Sequence, residues 1–334
     1  MFFPWAFGGA ALTLPGRPAM LRPMAKGNKW VSGLLWLAVG AGLLVTALSF
    51  LGSSWWFFDI LAHFRVQAVV IFVLGIALAL LLGGRKQALA GALGLAVQLG
   101  CAWPYLLPAQ TLQAQSSTLK VLLSNVLTRN ADHQSILETI QRENPDVIVL
   151  LEVSEGWLKD LLPGLEAWPH RDTWPRDDNF GLAFFSRIPF ADRGPTGLPR
   201  PAAHVQFDWQ GRSIPLLGFH PFPPIWGDAA AERDVQMESV GRLSMLADPM
   251  ALVIADFNAS PWSVALEPLR QNNLRDARRG FGFAPTWPTY MPWPLRIPID
   301  HVYVGEGWQV LDFRVLEPMG SDHHPVVATL AAKP

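Results

Sequence analysis

The sequence predicts an α+β domain in which helices cover two packed β-sheets, preceded by three transmembrane helices. Short β-prone apolar runs outnumber helical segments between residues 119 and 330, as expected for two sheets with few covering helices. Before residue 109, three stretches lack any charged residue, and each is close to the length that crosses a bilayer. We therefore divide the chain into a leader at 1–29, a three-span membrane anchor at 30–108 and a C-terminal domain at 109–334.

The three apolar stretches lie at residues 30–51, 66–82 and 88–107. They explain why a chain of 334 residues is 50% hydrophobic, with a mean hydropathy of +0.22. A cleavable signal peptide has a shorter apolar core and would not be followed by two further stretches. We therefore predict three membrane-spanning helices after a disordered leader.

Basic residues predict the orientation of these helices. The leader and the turn at 83–87 hold Arg17, Arg22, Lys26, Lys29, Arg85 and Lys86, whereas the loop between the first two stretches holds only Arg65 with Asp59. Because basic residues are enriched in cytoplasmic loops, we expect the N-terminus and the turn in the cytoplasm. Three crossings of the cell (inner) membrane then place the C-terminal domain in the periplasm or outside the cell.

The C-terminal domain is acidic. Seven of the 26 Lys and Arg residues and one of the 27 acidic residues lie in 1–108, so residues 109–334 hold 19 basic and 26 acidic residues, a formal charge of −7. Proteins that bind nucleic acid without sequence preference usually present a basic face. The charge therefore favours a small or lipid-borne phosphoester over nucleic acid as the partner.

Apolar runs and breaks predict the elements of this domain in order. Residues 119–125 and 147–151 are β-prone runs on either side of a helix at 135–142, which Asn144-Pro145 ends. The other predicted strands lie at 181–185, 205–209, 213–219, 252–255, 299–304 and 325–330, and the other predicted helices at 229–246 and 261–271. Gln210-Gly211 joins two of these strands as a hairpin.

Polar residues stand where several buried strands end. The motifs are Asp256-Phe257-Asn258, Ile299-Asp300-His301 and Ser321-Asp322-His323, with Glu152 directly after the strand at 147–151. Such groups cost free energy in an apolar interior unless they are paired, bind a metal or line a cleft. Together they predict a site for metal-assisted phosphoester hydrolysis.

Each of these residue types suits one part of that chemistry. Glu152 is a hard oxygen ligand suited to Mg²⁺, and Asn125 can orient it or contact a metal-bound water. Asp256 can hold and deprotonate the attacking water, and Asn258 can donate a hydrogen bond to the phosphate. Mg²⁺ is the expected cofactor, with Mn²⁺ as an alternative.

Two histidines are candidates for contact with the phosphate. His220 and His323 can stabilise charge on a phosphoryl oxygen or donate a proton. Asp300 can orient a histidine, and Asp322 is a candidate for a further metal or water ligand. Trp287 and Trp293, in a loop rich in Pro and Trp, are candidates for substrate binding, by stacking on a base or entering lipid.

These residues resemble the endonuclease/exonuclease/phosphatase superfamily. The motifs occur in the order of that family, and the resemblance covers residues 119–330: Asn125, Leu150-Leu151-Glu152, Gly181 to Arg187, His220, Ala255-Asp256-Phe257-Asn258, Ile299-Asp300-His301 and Ser321-Asp322-His323. It implies a four-layered α/β sandwich and Mg²⁺-dependent phosphoesterase activity. It also implies that Glu152 is the metal ligand, that Asp256 and Asn258 contact water and phosphate, and that Asp300 and His323 form a dyad.

The sequence departs from the family pattern at two positions. Ala255 stands where Gly is usual, which alters packing only. Leu127 stands where abasic-site endonucleases have an acid, which weakens an assignment to abasic-site repair.

Two other functions are compatible with the motifs. The first is an extracytoplasmic nuclease acting on DNA or RNA, for which Arg270, Arg275, Arg278 and Arg279 could form a basic patch. The second is a non-catalytic, membrane-tethered binding module, against which the intact set of candidate catalytic residues argues. The sequence indicates no protein partner. We expect His170, His204 and His301 to be structural, and Arg187 and Arg233 to be solvated or paired.

Overall fold

The computed structural model describes residues 29–109, 117–198 and 202–334. Four helices lie in the first of these ranges. They are α1 (Lys29–Leu48), the short α2 (Trp56–Leu61), α3 (Arg65–Leu81) and α4 (Arg85–Leu106). With their adjoining turns they form three elements that are long and apolar enough to cross a membrane, of 23, 26 and 22 residues. The predicted leader at 1–29 lies, apart from Lys29, outside the described residues.

The N-terminal segment, residues 29–109, leaves much of its apolar surface uncovered. Leu37, Leu81 and Leu89 are each at least 67% exposed, although such side chains are strongly disfavoured in water. The second predicted span, at 66–82, is shorter than the observed element, because α2 and a 3₁₀ turn at Ala62–Phe64 precede α3. Three long apolar helices are therefore present, as predicted.

The first sheet has six strands in the order β11-β12-β1-β2-β4-β3. Its strands are β1 (Leu119–Asn125), β2 (Val147–Leu151), β3 (His170–Trp174), β4 (Leu182–Ser186), β11 (Trp308–Val315) and β12 (Val326–Ala332). Only β1 and β2 are parallel, and the helix α5 (His133–Glu143) connects them. The short α6 (Glu155–Leu161) follows β2.

The second sheet also has six strands, in the order β5-β6-β7-β8-β10-β9. Its strands are β5 (Phe190–Pro195), β6 (Ala202–Trp209), β7 (Arg212–Phe219), β8 (Leu252–Asp256), β9 (Arg275–Asp276) and β10 (Asp300–Val304). Here β7 and β8 are parallel, connected by α7 (Gly227–Gly241). The helix α8 (Glu267–Gln271) follows β8.

Alternating side chains of the strands build three apolar layers. Val121 of β1 packs between the sheets against residues such as Ile254, whereas its neighbour Leu122 packs under α5 and α6. On the other side, Val253 of β8 packs under α7 and α8. The period of two along each strand therefore produces the predicted sandwich, two packed sheets with a helical layer on each outer face.

Three details differ from the sequence prediction. The predicted helix at 261–271 is wrong in its first half, where Ser263 caps a 3₁₀ turn and the α-helix begins only at Glu267. The helix predicted at 229–246 ends at Gly241. The strands β3, β5, β9 and β11 were not predicted. The hairpin is confirmed, with positive φ at both Gln210 and Gly211, as its two-residue turn requires.

Candidate active site

Strands of both sheets end at one edge of the sandwich and place the site residues there. In the first sheet, Asn125 pairs in register with Leu151 of the parallel strand β2. Glu152 is the next residue, so the two polar side chains emerge side by side. Parallel pairing of adjacent strands is what brings two residues that are 27 positions apart together.

The second sheet supplies three further residues at the same edge. Asp256 ends β8 and lies opposite Asp300, the first residue of the antiparallel strand β10. Strand β7 runs parallel to β8, with Phe219 beside Ala255, so His220 follows at this edge too. The predicted grouping of these residues is therefore present in the structure.

Asn125 connects the two sheets. Its Nδ2 donates to Glu152 Oε1 at 2.9 Å and to Asp256 Oδ2 at 3.2 Å, while its Oδ1 accepts from the amide of Leu127 at 3.1 Å. The side chain is buried. The structure therefore gives Asn125 the orienting contact that the sequence suggested, and its direct contact with a metal stays a prediction.

Three residues near the side-chain amide of Asn125 have strained backbone. Leu127, Glu152 and Asn258 all have positive φ, at 60°, 62° and 49°, a region that L-residues rarely adopt and that persists where surrounding structure enforces it. Behind Glu152, a Cβ on Gly181 would meet Val153 O at 1.8 Å, so only glycine fits there. Burial raises the pKa of the Glu152 carboxyl.

Asp256 lies between two imidazoles. Its Oδ2 is 3.3 Å from His220 Nε2 and 3.5 Å from His323 Nε2, and its Oδ1 accepts from the amide of Asn258 at 2.9 Å. Burial opposes ionisation, but the two histidines and the Asn258 amide outweigh it and lower the pKa of Asp256 below its usual value. Asp256 is therefore a carboxylate at neutral pH.

The backbone fixes the ring of His220. Its Nδ1 lies 3.0 Å from the carbonyl of Asn179 and must donate to it, which turns Nε2 towards Asp256 and within 3.2 Å of Asn258 Nδ2. Burial lowers the pKa of His220, but the hydrogen bond and charge of Asp256 more than offset this and raise it. The protonated ring is therefore favoured.

His323 forms a dyad with Asp300. Its Nδ1 lies 2.9 Å and 3.2 Å from the two carboxylate oxygens of Asp300, and both side chains are buried. Burial alone would lower the pKa of His323, but Asp300 and Asp256 raise it to about 10. His323 is therefore an imidazolium whose Nε2 faces the centre of the site.

The donor set fits a divalent cation. Asp256, Asp300 and His323 each have an atom of a metal-ligating type, all within 4.8 Å of one another, but the imidazolium of His323 has no lone pair for a cation, so the carboxylates are the donors. Asp300 is engaged by His323, and Glu152 adds a further buried carboxylate held by Asn125. Hard carboxylate oxygens in small number suit Mg²⁺ or Mn²⁺.

The two candidate tryptophans lie at different depths. Trp287 Nε1 donates to Asp322 Oδ2 at 3.1 Å, and its ring centroid lies 6.4 Å from that of His323. Asp322 Oδ1 is buried and has no hydrogen-bond partner among the described residues. Trp293 is 49% exposed, in a 3₁₀ turn that packs against α3. Trp287 therefore borders the site, and Trp293 lies further out.

Three supporting residues were missed from the sequence. Thr128 Oγ1 donates to the carbonyl of Glu152, and Ser321 Oγ donates to the carbonyl of Asn125 and accepts from the amide of His323. Ser321 stands within a recognised motif, which was a usable signal. Asn179 acts through its backbone carbonyl alone, so its side chain carried none.

Three of the four arginines considered above for a basic patch are bonded within the fold, whereas Arg279 is exposed. Arg278 is buried and bonds to Asp276 and to the carbonyl of Asp300. Arg270 bonds to Glu267, and Arg275 to the carbonyl of Trp308.

Two of the residues expected to be structural or paired, His301 and Arg233, are buried and paired. His301 is buried and contacts Asp276 and the carbonyl of Ala259. Arg233 is buried against Asp59 and Asp234.

Comparison with solved structures shows the same fold at low identity. A functionally unknown conserved protein from Enterococcus faecalis V583 is 21% identical over 64% of this chain and all of its own (TM-score 0.53). TDP2 from D. rerio, solved with a single-strand DNA product, is 17% identical over 65% of this chain and all of its own (TM-score 0.54). An endonuclease/exonuclease/phosphatase family protein from Bacteroides thetaiotaomicron is 18% identical over 65% of this chain and 96% of its own (TM-score 0.52).

A family-wide sequence comparison covers all of the sandwich except its last strand, β12. No curated protein sequence matches the chain significantly. Residues 118–323 match the Endonuclease/Exonuclease/phosphatase family, which is more than half of the chain. The chain therefore belongs to the endonuclease/exonuclease/phosphatase family of phosphoester hydrolases.

Proposed function

We propose that the chain is a membrane-anchored, Mg²⁺-dependent phosphoesterase that hydrolyses a phosphodiester or phosphomonoester by in-line attack of water. One observation carries the proposal. The Asp256 carboxylate lies between two buried imidazoles, within 3.5 Å of each. A negative group that can hold water beside two positive groups that can hold phosphate is what this reaction requires.

The side chains divide the work. Asp256, ionised at neutral pH, accepts a hydrogen bond from the attacking water and takes its proton. His323, kept protonated by Asp300, stabilises charge on the phosphoryl oxygen. His220 and Asn258 Nδ2, 3.2 Å apart, donate to a second phosphate oxygen.

Glu152 would hold the metal, oriented by Asn125, and Asp322 is a candidate for a further ligand. When bound, a divalent cation supplies positive charge to the phosphoryl oxygens. Mg²⁺ is proposed because the site offers few carboxylates, and Mn²⁺ prefers similar donors.

Metal dependence tests this assignment. EDTA should abolish hydrolysis of bis(p-nitrophenyl) phosphate by the full chain in detergent, and Mg²⁺ or Mn²⁺ should restore it. Glu152→Ala should raise the Mg²⁺ concentration for half-maximal activity about tenfold or more, since it removes the carboxylate that Asn125 holds. Glu166→Ala, at an exposed acid, serves as control. Full activity in EDTA would refute metal dependence.

Membrane topology is proposed from the basic residues. A reporter fused after Pro334 should behave as exported, and one fused at Gly84, in the turn between α3 and α4, as cytoplasmic. Paired alkaline phosphatase and fluorescent protein fusions measure this. A cytoplasmic C-terminal fusion would contradict both the three-span topology and the outer-face location.

A nuclease acting on external DNA or RNA is the second candidate. The D. rerio neighbour solved with a single-strand DNA product supports it. The charge of −7 over residues 109–334 and the internal use of Arg278 weigh against it. A lipid headgroup or a small phosphoester is therefore the preferred substrate.

A further inference from the structure

Three of the loops around the candidate site touch the N-terminal segment. We name them the rim loops and define them as residues 220–227, which begin at His220, residues 257–264, which hold Asn258, and residues 286–298, which lead to Asp300. Each rim loop therefore carries a site residue or shortly precedes one. Their contacts therefore place this side of the site against the N-terminal segment.

The rim loop at 257–264 makes the closest contacts. Ser260 Oγ lies 3.2 Å from His63 Nδ1, and Trp262 Nε1 donates to the carbonyl of Cys101 at 3.1 Å. Ser263 Oγ donates to Asp59 at 2.7 Å. These bonds begin only two residues after Asn258, so the site lies directly beside the N-terminal segment.

The other two rim loops contact the same end of the N-terminal segment. Gln67, the third residue of α3, donates from Nε2 to the carbonyl of Arg296 at 2.9 Å. A Cβ on Gly227 would lie 3.2 Å from Trp56 Nε1. The contacts of all three rim loops therefore involve either the stretch from α2 to the first turn of α3 or the last turns of α4.

Helix geometry gives the depth of this contact. Cys101 precedes Leu106, the last residue of α4, by five positions, which is about 8 Å along the axis at ~1.5 Å per residue. The polar layer on each side of the hydrocarbon core is roughly 5–8 Å thick. The 22 residues of α4 cover about 33 Å, close to the ~30 Å of the hydrocarbon core. A loop that bonds to Cys101 therefore reaches the boundary between headgroups and hydrocarbon when α4 spans a bilayer.

The rim loops also expose apolar side chains. Trp226 and Ile225 are 58% and 62% exposed, and Tyr290, Met291 and Leu295 are 72%, 40% and 53% exposed. Aromatic and aliphatic side chains beside helix ends are typical of residues at the membrane interface. Their surface is continuous, through Trp56 and Gln67, with helices of membrane-spanning length.

We propose that the rim loops lie in the headgroup layer beside the N-terminal segment, and that the site hydrolyses the phosphoester of a lipid in the same membrane. The inference rests on the proposed phosphoesterase activity. Water adds its oxygen to phosphorus, the bond to the leaving oxygen breaks, and that oxygen takes up a proton, so a lipid diester gives a phosphomonoester and an alcohol. A bilayer across the mouth excludes duplex nucleic acid.

Spin labelling tests the membrane contact without any activity. In the full chain, Cys101→Ser removes the only cysteine and keeps the backbone carbonyl that Trp262 binds. Tyr290→Cys then labels a rim loop, and Ser213→Cys labels an exposed position at the opposite end of β7, about 23 Å from His220 at ~3.3 Å per residue.

In vesicles of phosphatidylcholine and phosphatidylglycerol, the label at position 290 should be accessible to oxygen and shielded from a water-soluble nickel chelate. The label at position 213 should show the reverse. Equal access of the nickel chelate to both labels would overturn the membrane contact.

Lipid hydrolysis tests the substrate class. The full chain is reconstituted into vesicles of phosphatidylcholine, phosphatidylethanolamine, phosphatidylglycerol and sphingomyelin, and separate protein-free vesicles carry the same lipids with isotopic labels. With Mg²⁺, lipids of the protein's own vesicles should be hydrolysed at least about tenfold faster, because tethering raises their effective concentration.

Bis(p-nitrophenyl) phosphate separates the two proposals. Hydrolysis of this soluble diester without hydrolysis of any lipid in the protein's own vesicles would overturn the lipid inference and leave the phosphoesterase standing. Equal rates on both sets of vesicles would overturn action on the same membrane. Inactivity on every substrate with Mg²⁺ and Mn²⁺ would overturn both proposals.

Discussion

Replacement of Asp256 by Asn should lower kcat for bis(p-nitrophenyl) phosphate by about three orders of magnitude, within the range for loss of a general base. The amide has nearly the same shape but cannot accept a proton from water. The substitution also removes the negative charge that His220 and His323 face at 3.3 and 3.5 Å. The loss should fall on kcat, since these interactions strengthen in the transition state.

Two variants sharpen this experiment. Asp208→Asn makes the same change at an exposed position on β6 and should keep full activity. The double variant Asp256→Asn/His323→Ala should lose little more than either single variant, because the two residues act as one unit. Thermal unfolding checks that the fold is intact. An Asp256→Asn variant within threefold of the parent would remove Asp256 from the role of base.

Much of the site was predictable because its residues interrupt strong local patterns. Asp256 directly follows a fully buried apolar run, and Asp300 directly precedes one, so their opposition across β8 and β10 follows from antiparallel pairing. Glu152 stands out for the same reason. The four missed strands are all at sheet edges, and β3 and β5 are half-buried or exposed along their length, so their composition carried no burial pattern.

Contacts between distant segments could not be predicted. Asp59 is one acid in a short loop, and nothing in its neighbourhood indicates a partner 174 residues away in Arg233. Arg278 looked like part of a basic surface until folding buried it beside Asp276. A local pattern reports burial, but which charge meets which depends on packing between elements.

Replacement of Asp59 by Ala should separate the N-terminal segment from the sandwich. The carboxylate accepts bonds from Arg233 at 3.2 Å, Ser263 at 2.7 Å and the Val264 amide at 2.8 Å, and Asp59 and Arg233 are each only 1% exposed. Removing one partner leaves Arg233 buried with only Asp234 to compensate it. We expect the contact between the N-terminal segment and the sandwich to lose about 3 kcal/mol of free energy, at the lower end of the range for a broken buried ion pair.

Hydrogen exchange at the Val264 amide measures this loss, which should raise the exchange rate by roughly 10²-fold, since each 1.4 kcal/mol is tenfold. Asp59→Ala/Arg233→Met should recover part of it, because no buried charge then remains unpaired. Glu238→Ala, which breaks the exposed pair with Arg242, should leave exchange at the Val264 amide unchanged.

Hydrolysis of a soluble diester should survive in Asp59→Ala while hydrolysis of lipid in the same membrane falls, because the catalytic groups remain but their position at the bilayer is lost. Unchanged exchange at Val264 would show that the buried pair does not hold the two parts together.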